Sequence, residues 1–202
     1  MAVIFSMRLK KTVFVLVLVA LISCARNDRD SLFVFVGKQI PSGIIEKRLT
    51  KYFKLKYQIL QKTYGSYQGD TIDFLAYSDA DSLEFTKYET VFLFLYKMNG
   101  QYYKLVMPWY HVYQTVDGRW ASGAKWWEYG DIYPTSIEPR RLQFKDSVYF
   151  DLKGMSQEQI DHWYPAKYYE RKGDKARPVF GSYTDELFEI QKNGFLRDAK
   201  FF

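Results

Sequence analysis

Cysteine is nearly missing from this chain: Cys24 is the only one in 202 residues. That excludes a disulfide scaffold and any cysteine-rich zinc or iron–sulfur site. Two histidines, His111 and His162, are too few for a histidine-built catalytic metal centre. Glycine (12) and proline (6) are sparse, which excludes a collagen-like chain. Long apolar runs are missing as well. Thr12 to Ile22 is an uncharged run of eleven, whereas a membrane-spanning helix needs about 20 such residues.

Aromatic side chains are abundant, at 19% of the chain against 26% charged. A wholly disordered chain does not carry aromatics at that level. The length suffices for one domain with a core of its own. The run Thr12–Ile22, preceded by Arg8, Lys10 and Lys11, has the length and flanks of a secretory signal. Met7 is an alternative start that would make the positive region compact. The run closes on Leu21-Ile22-Ser23-Cys24, which resembles the lipobox of bacterial lipoproteins.

That resemblance implies cleavage before Cys24, diacylglycerol on its thiol and acylation of the new amine. Two or three acyl chains anchor stably, at about 0.8 kcal/mol per buried CH₂. Ala25 after the cysteine resembles the outer-membrane sorting pattern rather than inner-membrane retention. The expected organisation is therefore a signal peptide over 1–23, a polar tether over 24–31, and one β-rich globular domain over 32–202. A subdivision near 134 is the alternative. The expected location is a bacterial cell envelope, lipid-anchored to the outer membrane. Three of the 29 basic residues leave with the signal, so 26 remain against 23 acidic ones and the formal charge is +3. That balance is too weak to point to a nucleic-acid partner.

The first half of the domain patterns as strands. Leu32-Phe33-Val34-Phe35-Val36 is an apolar run closed by Gly37, Tyr52–Thr63 and Thr71–Tyr77 alternate, and Val91–Tyr96 is apolar throughout. Asn99-Gly100 between two such runs predicts a tight hairpin with Gln101–Met107. Asp117-Gly118 predicts a second, between Trp109–Val116 and Arg119–Ala121, and Pro108 should end its strand or force a bulge. Ile44–Tyr52 has a rough helical period. Further on, Ser147–Leu152 is expected as a strand and Arg171–Arg177 as a charged loop. Ser156-Gln157-Glu158-Gln159 is expected to cap a helix through Trp163, and Thr184 another that ends at Asn193-Gly194. The fold class is mainly β: an OB-like barrel or a meander of antiparallel strands, with two or three short helices. The order of strands over Phe33–Met107 resembles OB barrels of the netrin-like, TIMP-like form. The metalloprotease inhibition of that family uses a free N-terminal cysteine amine, so it does not carry over to an acylated Cys24.

No catalytic residue is assigned. Ser122-Gly123-Ala124-Lys125 matches the S-x-x-K nucleophile motif but lacks its partner motifs. Asp79–Glu84 begins like a calcium loop yet places Leu83 and Glu84 where a ligand and a glycine belong. His111 and His162 have no nucleophile motif beside them. No cofactor and no metal is expected. The candidate binding residues are Trp109, Trp120, Trp126, Trp127 and Tyr129, in a segment holding four of the five tryptophans. Aromatic rings with a polar handle suit glycan stacking or a protein interface, and they equally suit a core. The expected role is non-enzymatic binding or scaffolding at the membrane surface. The alternatives are an inhibitor or immunity lipoprotein and a cell-wall hydrolase.

Overall fold

The structure, a computed structural model, describes residues 32–41, 52–80, 82–125 and 133–202. Five strands close into a barrel: β1 (Leu32–Gln39), β2 (Tyr52–Tyr64), β3 (Thr71–Tyr77), β4 (Thr90–Met98) and β5 (Gln101–His111). Their order around the barrel is β1-β2-β3-β5-β4, with β4 returning to β1. All pairs are antiparallel except β3 and β5, which meet in parallel at Leu75 and Tyr103. A 3-10 turn over Glu84–Lys87 sits between β3 and β4 and sends Phe85 into the core. This is an OB-like, β-rich fold. Closing the sheet removes the unpaired edges that five strands this apolar would otherwise expose.

Alternation sorts the barrel's side chains. Phe33, Phe35, Leu55, Tyr57, Phe74, Leu93 and Leu95 fill the interior. Val34, Val36, Phe92 and Phe94 face outward, yet none of them is exposed. They are covered by the C-terminal helices α2 (Thr184–Asn193) and α3 (Phe195–Asp198), through Leu187, Phe188, Ile190 and Leu196. Two covered faces explain why Leu32–Val36 of β1 and Val91–Leu95 of β4 are apolar at every position.

Asn99 and Gly100 both adopt positive φ, at 50° and 81°, and join β4 to β5. Pro108 does not end its strand. β5 runs through it, and the register jumps from Leu95↔Lys104 to Leu93↔Trp109. The extra residues form a bulge.

Beyond the barrel the elements are short. β6 (Tyr113–Gln114), β7 (Trp120–Gly123), β12 (Phe180–Tyr183) and β8 (Arg140–Arg141) form one sheet in that order. β10 (Tyr169–Lys172), β11 (Lys175–Pro178) and β9 (Phe150–Asp151) form another. The Asp117-Gly118 turn does join β6 to β7, but Trp109–His111 belong to the barrel, so the expected first arm is divided between two sheets. Of Ser147–Leu152 only Phe150–Asp151 pairs. Arg171–Arg177 is not a loop but the β10–β11 hairpin. Its alternating Arg, Lys and Glu hide one buried residue in two, Ala176 among them.

Helix α1 (Gln157–Trp163) starts with the expected capping box, Gln159 N–H donating to Ser156 Oγ at 3.2 Å and Ser156 N–H to Gln159 Oε1 at 2.8 Å. Thr184 is not a cap. Tyr183 holds that position and its N–H donates to Glu186 Oε2 at 2.9 Å, while Thr184 is the first helical residue and its hydroxyl accepts from Gln61 Nε2. The helical period over 44–52 lies outside the described residues except for Tyr52, which begins β2. Residues 1–31, with Cys24, also lie outside them.

Candidate functional site

The described members of the aromatic segment are packing residues. Trp109 faces the barrel interior opposite Leu93, with ring centroids 6.2 Å from Phe85 and 5.9 Å from Tyr88. Trp120 is half-buried against the core beneath α2, and Tyr110 is buried in it. Tyr113 packs into the core around Phe150. Trp126, Trp127 and Tyr129 lie outside the described residues. The structure therefore does not bring the candidate tryptophans together on one described surface.

The candidate chemical groups are also placed in packing roles. Ser122 is fully buried in a strand, opposite Ser182, rather than at a helix start. His111 lies between the rings of Tyr88 at 4.6 Å and Phe150 at 5.1 Å. Burial first, and the Lys125 ammonium second, lower its pKa to about 3, so the imidazole is neutral across the physiological range. His162 packs edge-on against Trp163 on α1.

A different aromatic group emerges on the barrel's outer face. Phe53 and Leu55 point inward, so Tyr52, Lys54 and Lys56 point outward; on β3 the same logic turns Asp73, Leu75 and Tyr77 outward. Register then assembles four tyrosines. Tyr52 opposes Tyr77 across β2–β3, and their ring centroids are 5.5 Å apart. The parallel β3–β5 contact brings Tyr103 alongside, 6.1 Å from Tyr52. Tyr96 opposes Tyr103 and stacks on it at 5.5 Å and 24°. Tyr77 is 41% exposed and the other three are half-buried, so the row is open to solvent.

Polar groups border this row. Lys56 opposes Asp73, and Lys54 opposes Leu75. The Tyr77 hydroxyl donates to Asp79 Oδ1 at 2.5 Å, and that bond raises its pKa; burial does the same for Tyr96. Both phenols stay protonated at neutral pH, able to donate and accept. The surface thus offers aromatic faces, hydroxyls, ammonium groups and a carboxylate. Such a set can hold a ligand by stacking and hydrogen bonds.

Sequence reasoning missed this row for a definite reason. Tyr52, Tyr77, Tyr96 and Tyr103 sit on four strands, each an ordinary outward residue of its own strand. The one available signal was the tyrosine at an outward position of the alternating runs Tyr52–Thr63 and Thr71–Tyr77, and no local pattern says that those positions meet Tyr96 and Tyr103.

Next to the row lies an unusual lysine. Lys104 opposes Leu95 and points into the barrel, only 7% exposed. Its Nζ donates to the carbonyls of Leu105 at 2.6 Å and Val106 at 3.1 Å, and lies 4.9 Å from the centre of the Phe85 ring. Burial lowers its pKa to about 7. The ammonium thus ties down the β5 bulge, while Val106 and Met107 on that bulge are 69% and 51% exposed. Nearby, the Tyr57 hydroxyl is buried with no hydrogen-bond partner among the described residues.

The chain matches no family model, no curated protein and no solved structure.

Proposed function

We propose that this protein is a lipoprotein of a bacterial envelope, anchored through Cys24 to the outer membrane, and that its β-rich domain is a non-enzymatic module that binds an envelope glycan on the tyrosine row. The anchor reading is supported by the Arg8–Cys24 sequence pattern. The binding reading rests on one observation, the four ring-packed tyrosines Tyr52, Tyr77, Tyr103 and Tyr96 on a part of the barrel wall that no described element covers. Around Val34, Val36, Phe92 and Phe94 the outer wall is closed by α2 and α3. Aromatic faces cover the apolar faces of sugar rings, and Lys56, Asp73 and the phenol hydroxyls meet their hydroxyl groups.

The test is retention on isolated cell-wall glycan. The double variant Tyr52→Ala, Tyr103→Ala should lose at least about tenfold in affinity, which equals about 1.4 kcal/mol, while its circular dichroism stays unchanged. Undiminished retention in a folded double variant would overturn the glycan reading. Capture of a purified envelope protein that depends on the same tyrosines, with no retention on glycan, would replace it by a protein interface. The anchor is tested separately: Cys24→Ala should abolish fatty-acid labelling and leave the unprocessed precursor.

A further inference from the structure

We propose that the β5 bulge, with Val106 and Met107 at its tip, docks the domain onto the lipid surface to which Cys24 is anchored. This rests on the lipid-anchor reading above and adds a second, non-covalent contact with the bilayer.

Two features of the bulge work against folding stability. Val106 and Met107 are held in water although they are apolar. Lys104 is buried, and among the described residues its Nζ bonds only to carbonyl oxygens. Leaving an ammonium out of water without a carboxylate is costly. Both features serve one outcome: the ammonium clamps the Leu105 and Val106 carbonyls, and the bulge turns two apolar side chains outward. Bulges re-aim side chains, and places where local rules are broken together are where function is expected.

The position of the bulge, near the point where the tether enters the domain, points to the bilayer as the occupant. The chain from the anchor enters the domain at Leu32, which opposes Tyr96, which opposes Tyr103, three residues before Val106. With strands about 4.8 Å apart and about 3.3 Å per residue, Val106 lies within about 20 Å of Leu32. Eight residue steps separate Cys24 from Leu32, and fully extended they reach no more than about 28 Å. An acylated Cys24 therefore lets this part of the barrel reach the bilayer. The chemistry also suits an interface: an apolar tip, with Lys97 exposed on the neighbouring strand β4.

The experiment uses the full-length lipidated protein in vesicles of phosphatidylethanolamine and phosphatidylglycerol. Acylation occupies Cys24, so a cysteine introduced by Val106→Cys is the only free thiol and takes a polarity-sensitive fluorophore. Val116→Cys, at a residue 60% exposed next to the β6–β7 turn, is the reference. The label at 106 should shift to the blue and be quenched by a lipid-borne quencher at least about threefold more than the label at 116. Val106→Asp with Met107→Asp, followed through a label at residue 98, should reduce that quenching without moving the thermal midpoint. Equal, water-like signals at 106 and 116 in a protein shown to be acylated would overturn the docking and leave the anchor standing. An unacylated Cys24 would remove both. Shielding of residue 106 that needs added glycan or protein would overturn the lipid surface as the occupant.

Discussion

In the barrel, Phe33, Leu55, Phe74 and Leu93 face inward while Val34, Phe92 and Phe94 face outward beneath α2 and α3, so the β1–β4 pair is dry on both sides. The segment after Val112 is built differently. Its strands are two to four residues long, and polar clamps join them. Arg119 bonds both oxygens of Asp185 at 2.9 and 3.1 Å and lies 3.4 Å from the centre of the Tyr183 ring. The Tyr183 hydroxyl donates to Asp117 at 2.9 Å, and Arg140 pairs with Glu186 beside it. Arg171 closes the end of α1 by donating to the carbonyls of Tyr164 and Ile160 and to Asp161. Each short strand buries little apolar area, so directional groups act together with the small core around Phe150 to set the arrangement.

The sharpest way to test this contrast is in the barrel wall. Phe94 is fully buried against Phe92 and Tyr110. Phe94→Ala should cost about 3–5 kcal/mol, read as a loss of chemical-denaturation midpoint. An unchanged midpoint would show that α2 and α3 do not cover this face in solution.

A glycine tests the second half. A Cβ on Gly181 would stand 2.0 Å from the Ser122 carbonyl oxygen and 2.8 Å from Leu142 Cδ1. Gly181→Ala should therefore push β12 from β7 and cost about 1–3 kcal/mol. Hydrogen exchange should quicken over 113–202 before it does over β1–β5. Equal quickening in both would show that the two regions unfold as one unit.

Acid and base should act on the barrel's last strand, at His111 where it meets Phe150 and at Lys104 in the interior. An unfolded His111 takes up a proton near its ordinary value of 6.5, whereas the folded imidazole resists until about 3, so stability should fall as pH drops between those values. An unfolded Lys104 keeps its proton up to 10.5, whereas the folded amine releases it near 7. Stability should accordingly rise with pH above 7, and the full penalty should be present below it. His111→Phe should flatten the acid slope and Lys104→Met the slope between pH 7 and 9. A slope that survives its substitution would assign it to other groups.

The smallest effect is expected at the clamps. Arg119 and Asp185 are exposed, so Arg119→Ala should cost about 1 kcal/mol or less. The loss should shrink in high salt. A cost comparable to that of Phe94→Ala would mean that the polar clamp, not apolar burial, holds the β6–β7 turn on α2.

What was legible before folding follows from the range of each signal. The apolar run Leu32–Val36, the alternation of Thr71–Tyr77, the Asn99-Gly100 turn and the Ser156–Gln159 box each act within a few residues, and each appears in the fold. The β10–β11 hairpin was illegible because its exposed faces are charged and its buried face contributes only alternate residues. The clustered tryptophans suggested a surface, yet both described ones are packing residues, because Trp109 lies opposite Leu93 on the barrel's β4 and Trp120 packs against the core beneath α2.

The sequence by itself determined the strands, the tight turn and the apolar faces of this protein, because steric preference and hydrophobic alternation are properties of neighbouring residues. Only the tertiary structure decided that β3 meets β5 in parallel, that α2 closes one outer wall, and that tyrosines from four strands share the other. Those outcomes depend on the register between segments distant in the chain. Register is settled when the barrel closes and every interior side chain must fit at once.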